Sequence, residues 1–285
     1  MEERRIIGQM TVGKEDGGRP IIELLREVLA LPKRQIKKAI ATRGIRLNGR
    51  PVHSERRVKA GDYLEVSLPG QEQVKVEPVP MELAILYEDQ WLLAVNKPVG
   101  INVHNTHPGQ PPALANGVAH YFQAKGRAVT PRPVHRLDRE ASGVVLFAKD
   151  SAAQTRLTAA WTGETVRKTY WALVEGALAT AGEVRTPIRG KAAHTVYRPL
   201  NQHDGYTELA INIYTGRTHQ IRIHLAQMGH PLLGDRRYNP GSGFCTNRLA
   251  LHGEELALVH PVTGEELRLV APVPRDEITI AQAIK

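Results

Sequence analysis

The stretch Val134-His135-Arg136-Leu137-Asp138-Arg139-Glu140-Ala141-Ser142-Gly143 runs directly into Val144-Val145-Leu146-Phe147-Ala148. It reads as a turn crowded with ionisable groups that feeds a strand apolar on both faces, and the end of a buried strand is a rigid place for reactive groups. A carboxylate at Asp138 beside a guanidinium is expected to stay ionised at neutral pH, because an opposite charge within a few ångströms favours the charged form. Such a group can serve as nucleophile or base. An isolated Arg-x-Asp is also an ordinary surface turn, so the reading rests on what accompanies it.

The chain of 285 residues suits two domains of unequal size. Its net charge of +9 favours a polyanionic partner. Its one cysteine, Cys245, excludes an internal disulfide and a Cys-rich zinc site and suits a reducing compartment. No long apolar run is present, and Met1-Glu2-Glu3-Arg4-Arg5 lacks the apolar segment of a signal peptide. These features predict a soluble cytoplasmic protein with no membrane partner, and a monomer is expected.

Ahead of the turn lies a small module. Ile21, Leu24, Leu25, Val28 and Leu29 recur at helical spacing after Pro20, and Pro32 opens a second helix with Ile36, Ala39 and Ile40 on one face. The segment Ile45-Arg46-Leu47-Asn48-Gly49-Arg50-Pro51-Val52 predicts a hairpin turning on Asn-Gly, and Gly61-Asp62 introduces a strand over 63–68. From Lys33 to Lys59 the bases Lys33, Arg34, Lys37, Lys38, Arg43, Arg46, Arg50, Arg56, Arg57 and Lys59 face a single acid, Glu55. So one-sided a run points to phosphate binding more than to solubility. Two short helices, the hairpin at 45–49 and the Gly-Asp strand at 61–64 resemble the S4 RNA-binding domain over most of 17–69. The resemblance implies that Lys33, Arg34, Lys37, Lys38, Arg43, Arg46 and Arg50 bind RNA.

This small S4-like α/β domain is assigned to 1–75 and a polar linker to 76–82. The remainder, 83–285, shows strand patterns at 83–87, 91–96, 144–148, 169–175, 195–200, 207–214, 257–260 and 267–270. Helices are predicted at 113–122, at 152–161 after a capping Ser151, and from Thr218 to 228 before a terminating Gly229. Segregated strands with few helices predict an α+β domain on a mixed, mainly antiparallel sheet.

Three clusters accompany Asp138. Lys168-Thr169-Tyr170-Trp171-Ala172-Leu173-Val174-Glu175-Gly176 places an aromatic ring on a strand entered through bases. Thr215-Gly216-Arg217-Thr218-His219-Gln220-Ile221-Arg222-Ile223-His224 starts a helix whose first turn carries polar groups suited to an anion. Gly229-His230-Pro231-Leu232-Leu233-Gly234-Asp235-Arg236-Arg237-Tyr238 is a loop with no evident chemistry. With Val95-Asn96-Lys97-Pro98-Val99-Gly100 and His260-Pro261-Val262-Thr263-Gly264-Glu265, these segments make 83–272 resemble the RluA-type family of RNA pseudouridine synthases. Ala141 departs from the pattern, which has Thr there, and removes a hydroxyl from the turn.

The resemblance implies an isomerisation in which the glycosidic bond of a target uridine breaks, the uracil rotates and C5 rejoins C1′. No metal, redox cofactor or energy source is implied. Asp138 would be the catalytic carboxylate, Arg222 its partner, and Tyr170 the ring that stacks on uracil and helps remove a proton. Arg136 would fill the gap left by the flipped base. Leu249, Arg217, His219 and Gln220 would line the substrate site, and His135 would fix the turn. Large-subunit ribosomal RNA is the first candidate target and transfer RNA the second. A non-catalytic RNA-binding or ribosome-assembly factor would not need Asp138, Tyr170 and Arg222 together. A metal-dependent hydrolase, which the 12 histidines raise, is disfavoured because His219 and His224 stand about 140° apart around a helix. An Asp-dependent glycosidase needs a second acid, for which only Glu140 offers itself.

Overall fold

The computed structural model describes residues 4–69, 76–105, 107, 109–127, 129–161, 165–275 and 278–282. The chain divides into two compact units, Met1–Gln73 and Val74–Lys285. In the first, β1 (Arg4–Thr11), α1 (Ile21–Glu27), α2 (Lys33–Ala41), β2 (Ile45–Leu47), β3 (Arg50–Pro51) and β4 (Tyr63–Pro69) follow one another. The strands form an antiparallel sheet in the order β1-β4-β2-β3. Ile21, Leu24, Leu25, Ile36 and Ala39 of the helices share a core with Ile45, Leu47, Leu64 and Val66 of the sheet.

The Asn48-Gly49 turn forms as predicted, with φ of 51° and 78°, the positive pair that a two-residue hairpin requires. Pro20 and Pro32 stand one position outside their helices, at the N-caps. Two expected core residues are exposed. Val28 lies past the end of α1, and Ile40 emerges because the buried stripe of α2 runs through Ile36 and Ala39 and Ile40 flanks Ile36 on the far side. The strand β1 was not expected, and a bulge between Ile6 and Gly8 explains why its sequence lacks a clean alternation.

The second unit contains β5 (Ala84–Glu88), β6 (Leu92–Lys97), α3 (Leu114–Ala124), β7 (Arg132–Pro133), β8 (Ser142–Ala148), α4 (Ser151–Ala160), β9 (Val166–Glu175) and β10 (Gly182–Val184). It continues with β11 (Thr195–His203), β12 (Tyr206–Ile213), α5 (Gln220–Gln227), β13 (Phe244–Thr246), β14 (Leu251–Val259), β15 (Glu266–Val270) and β16 (Ile280–Gln282). The main sheet runs β10-β11-β12-β9-β14-β8-β6-β5, with β7 added to β8 and β15 to β14, while β13 and β16 form a separate ribbon. Its pairings are antiparallel except for β8 with β14, so the α+β class with a mixed, mainly antiparallel sheet holds. Along β8, Val145 and Phe147 enter the core shared with α3 and α5, and Val144, Leu146 and Ala148 enter the core beneath α4. Coverage of both faces is why 144–148 is apolar without interruption.

Three local expectations are corrected. The cap of α4 is Asp150, whose carboxylate accepts the Ala153 N–H at 2.7 Å, and Ser151 is already inside the helix. The helix α5 starts at Gln220, not Thr218, because His219 has φ of 57° and a right-handed helix cannot run through it. The polar stretch 76–82 is tied down: Val79 N–H donates to the Asn116 carbonyl, and Asn116 Nδ2 donates to the Glu77 carbonyl at 2.8 Å.

At the parallel seam Gly143 faces Gly253, with φ of 122°, and a Cβ added there would stand 2.3 Å from the Gly253 carbonyl oxygen. Gly143→Ala is expected to destabilise the second unit by on the order of 3 kcal/mol, through backbone strain and overpacking. The three tryptophans, Trp91, Trp161 and Trp171, all lie in this unit, so denaturation followed by their fluorescence reports it alone. An unchanged midpoint would show that the seam relaxes without cost.

Candidate active site

The Asp138 turn is held at both ends. Before it, Val134 N–H donates to the Leu146 carbonyl, and His135 Nε2 accepts the Leu146 N–H at 3.1 Å while its ring stacks on Trp161. Burial, helped by the nearby Lys168, pulls the His135 pKa down to about 3, so it is a neutral acceptor that fixes the turn. After it, Gly100 N–H donates to the Arg139 carbonyl, and Arg139 Nε returns a bond to the Gly100 carbonyl, both at 2.8 Å. Lys97, fully buried at the end of β6, donates to the carbonyls of Pro98, Ile101 and Arg139. Burial is the main reason its pKa falls to about 7. Ala141 N–H closes the turn on the Asp138 carbonyl and its methyl is buried in the core, so closure uses the backbone without a hydroxyl at 141.

Asp138 opens into a cavity of about 370 Å³, whose walls include Arg136, Tyr170, His219, Arg222 and Leu251. That is the scale of a small-ligand site. Tyr170, on β9, is buried with its ring against Gly253. Burial, with the Asp138 charge added, raises the phenol pKa, so it is neutral at physiological pH and offers a ring and a hydroxyl, not a phenolate base.

Asp138 Oδ2 lies 3.5 Å from Arg222 Nη1, and Oδ1 lies 4.0 Å from His219 Nε2. The tighter partner of Arg222 is Asp235, which accepts from Nε at 2.7 Å and from Nη2 at 2.8 Å. Asp235 also accepts the N–H groups of Arg237 and Tyr238. Burial opposes both charges, but the bidentate bond outweighs it, holding the Arg222 pKa above and the Asp235 pKa below their usual values. Nη1 is left to face Asp138 and Glu140, whose Oε2 lies 3.4 Å away. Asp235 thus comes from the loop in which sequence reading found no chemistry. The one available signal was an acid placed between a turn glycine, Gly234, and two arginines.

Other expected site residues divide. Arg136 is exposed at the cavity wall, and Arg217 lines it while donating through Nε to the Ala192 carbonyl. His219 bonds to the Tyr238 hydroxyl through Nδ1, and burial lowers its pKa. Gln220 lines the cavity with its amide already engaged: Oε1 accepts from Thr215 and the Arg217 N–H, and Nε2 donates to the His194 carbonyl and Thr195. Leu249 is buried in the core just before β14, and the leucine that the cavity wall includes from this segment is Leu251. In the first unit Lys33, Arg34, Lys37, Lys38, Arg43 and Arg50 are exposed and Arg46 is half-buried opposite Glu65.

The sequence matches the RNA pseudouridylate synthase family over residues 91–227. It is 34% identical over 272 residues to the RNA pseudouridine synthase YhcT of Bacillus subtilis, with 90% of each chain covered. It is 31% identical over 279 residues to ribosomal large subunit pseudouridine synthase D of Haemophilus ducreyi, covering 88% of this chain and 86% of that one. The solved structure of human RNA pseudouridylate synthase domain containing 4 aligns with a TM-score of 0.57 at 26% identity, over 68% of this chain and 90% of that one. Similarity that extends along nearly the whole length of such relatives means that the chain belongs to the RluA-type family of RNA pseudouridine synthases.

Proposed function

We propose that Asp138 carries the conversion of uridine to pseudouridine and that the RNA is large-subunit ribosomal RNA. The observation that supports Asp138 most directly is its carboxylate at the wall of a cavity, oriented by an arginine that a second, buried acid holds in place. Asp138 acts on the extruded uridine, the bond from C1′ to N1 breaks, the uracil rotates, C5 bonds to C1′, and the proton lost from C5 to solvent is balanced by one taken up at N1, so the product is an isomer of uridine. Tyr170 supplies the flat surface for the rotating uracil, and Arg136, exposed at the cavity wall, enters the stack in place of the flipped base. The choice of ribosomal RNA rests on what the Haemophilus ducreyi relative is named for, and transfer RNA is the alternative. The first unit is an S4-like module whose exposed bases on and around α2 hold phosphates.

Asp138→Asn is expected to abolish tritium release from RNA labelled at uridine C5 while leaving RNA affinity within several-fold, since the amide is nearly isosteric. Release at the normal rate by this variant would remove Asp138 from the reaction and assign the chemistry to another group of the cavity.

Asp235→Asn should lower the single-turnover rate by about 100-fold, because an amide cannot take both guanidinium bonds and small misplacement of a reacting group is that costly. Thermal unfolding separates this from loss of the fold. A folded variant with unaltered rate would mean that Arg222 keeps its aim without Asp235.

Deletion of 1–75 should weaken RNA binding and make it less salt-sensitive, with the slope of log affinity against log salt falling by roughly 0.7 to 0.9 per lost phosphate contact. The rate at saturating RNA should change far less. Binding measured over a salt series for both lengths of chain decides it, and equal slopes would assign RNA holding to the second unit alone.

A further inference from the structure

Lys168 is a buried lysine of the cavity wall that the reaction described above does not use. It lies on β9 two positions before Tyr170, and both side chains line the catalytic cavity, about 7 Å apart along the strand. It is 8% exposed. The other deeply buried lysines are answered: Lys97 by three carbonyls, and Lys149 by Glu88 and the Asp89 carbonyl. Lys168 has neither an ion pair nor a hydrogen bond among the described residues, its recorded contact being Nζ at 6.0 Å from the centre of the Trp161 ring. Glu255, which shares a small void with it, is engaged by Arg167 and Arg268. His135, also near, is neutral.

The side chain is buried but its ammonium keeps contact with the open cavity, and a cation so placed with no counter-charge is favoured where an anionic ligand completes it. Burial does lower the Lys168 pKa, as expected of a cation with no anion beside it. RNA brings the missing charge. A uracil stacked on Tyr170 leaves its sugar-phosphate roughly one strand repeat away, where Lys168 stands. Of the neighbouring cavity bases, Arg217 is held by the Ala192 carbonyl and His219 by Tyr238. We infer that Lys168 is the anion site of the catalytic cavity and binds a phosphodiester of the target nucleotide itself. The inference rests on the assignment of this cavity to the flipped uridine.

The test uses the full-length protein and a short RNA spanning a uridine that it modifies, located by carbodiimide mapping of ribosomal RNA. Two further RNAs carry a neutral methylphosphonate at the linkage 5′ or 3′ to that uridine. For wild type, one of the two should bind about 10-fold more weakly and lose about 0.7 from its salt slope. Lys168→Met should show the same loss on unmodified RNA and no additional loss on that methylphosphonate, and Lys168→Arg should recover part of it. Losses that multiply in Lys168→Met, no loss from either methylphosphonate with wild type, or a slower single-turnover rate with affinity and slope intact would each overturn the inference. If Lys168→Met does not fold, the methylphosphonate series with wild type still decides against it when neither linkage matters. Failure of wild type to release tritium from unmodified RNA would overturn the cavity assignment instead.

Discussion

The buried pair between Arg222 and Asp235 is the constraint on which the site depends. Both side chains are almost entirely removed from solvent, and two parallel hydrogen bonds fix the guanidinium plane. A buried ion pair adds little net stability, since desolvation consumes most of the Coulombic gain. Its consequence here is geometric. With Nε and Nη2 taken, one nitrogen remains to meet Asp138 and Glu140, and it cannot rotate away. The same loop returns Tyr238 to His219 Nδ1 at 3.0 Å and sets its ring 5.3 Å from the guanidinium, so the first turn of α5 is braced from below by the chain that follows the helix.

A second constraint places the strands that carry the reacting groups. The turn with Asp138 feeds β8, Tyr170 lies on β9, and β14 runs between them, parallel to the first and antiparallel to the second. The parallel contact is short and is locked by side chains: Arg248 donates to Ser142 Oγ, and Ser142 lies 2.7 Å from His252 Nδ1. The Ala271 carbonyl, 3.3 Å from His252 Nε2, can only accept, so the ring N–H is on Nε2, and in the neutral ring Nδ1 accepts from the Ser142 hydroxyl. Burial draws the His252 pKa down to about 4, which keeps this neutral tautomer over the physiological range. The serine and histidine resemble a hydrolytic dyad in composition only; they hold the seam.

Much of this was legible in the sequence. Short apolar segments separated by turn signals identify β6, β8, β9 and β12, Asn48-Gly49 identifies its hairpin, and the Asp138 turn marks the site. What was not legible has physical causes. The short strands β7, β10, β13 and β16 contain two or three residues, too few for a period to exist. The start of α5 was misplaced because a left-handed His219 is set by tertiary contacts, not by its own preference. Asp235 is not legible as a site residue because an acid between a turn glycine and two arginines is a weak signal until the arginine it meets, 13 residues earlier, is in view.

Gln220 and Leu249 show the limit of reading function from a motif. Gln220 lines the cavity as a polar group of the turn before α5, while Leu249, a candidate through the family resemblance, stands two residues before Leu251, which lines it. Gln220 has every donor and acceptor of its amide satisfied by the turn it stabilises, so a uridine would have to break one of those bonds to gain one. Leu249 precedes the strand, where a hydrogen bond from Leu251 N–H back to its carbonyl bends the chain, so strand alternation does not extend to it. A short motif mixes residues that hold the backbone with residues that meet the substrate, because both must lie close to the reacting atoms. What separates them is whether a side chain has hydrogen-bonding capacity or charge left over once the fold is formed.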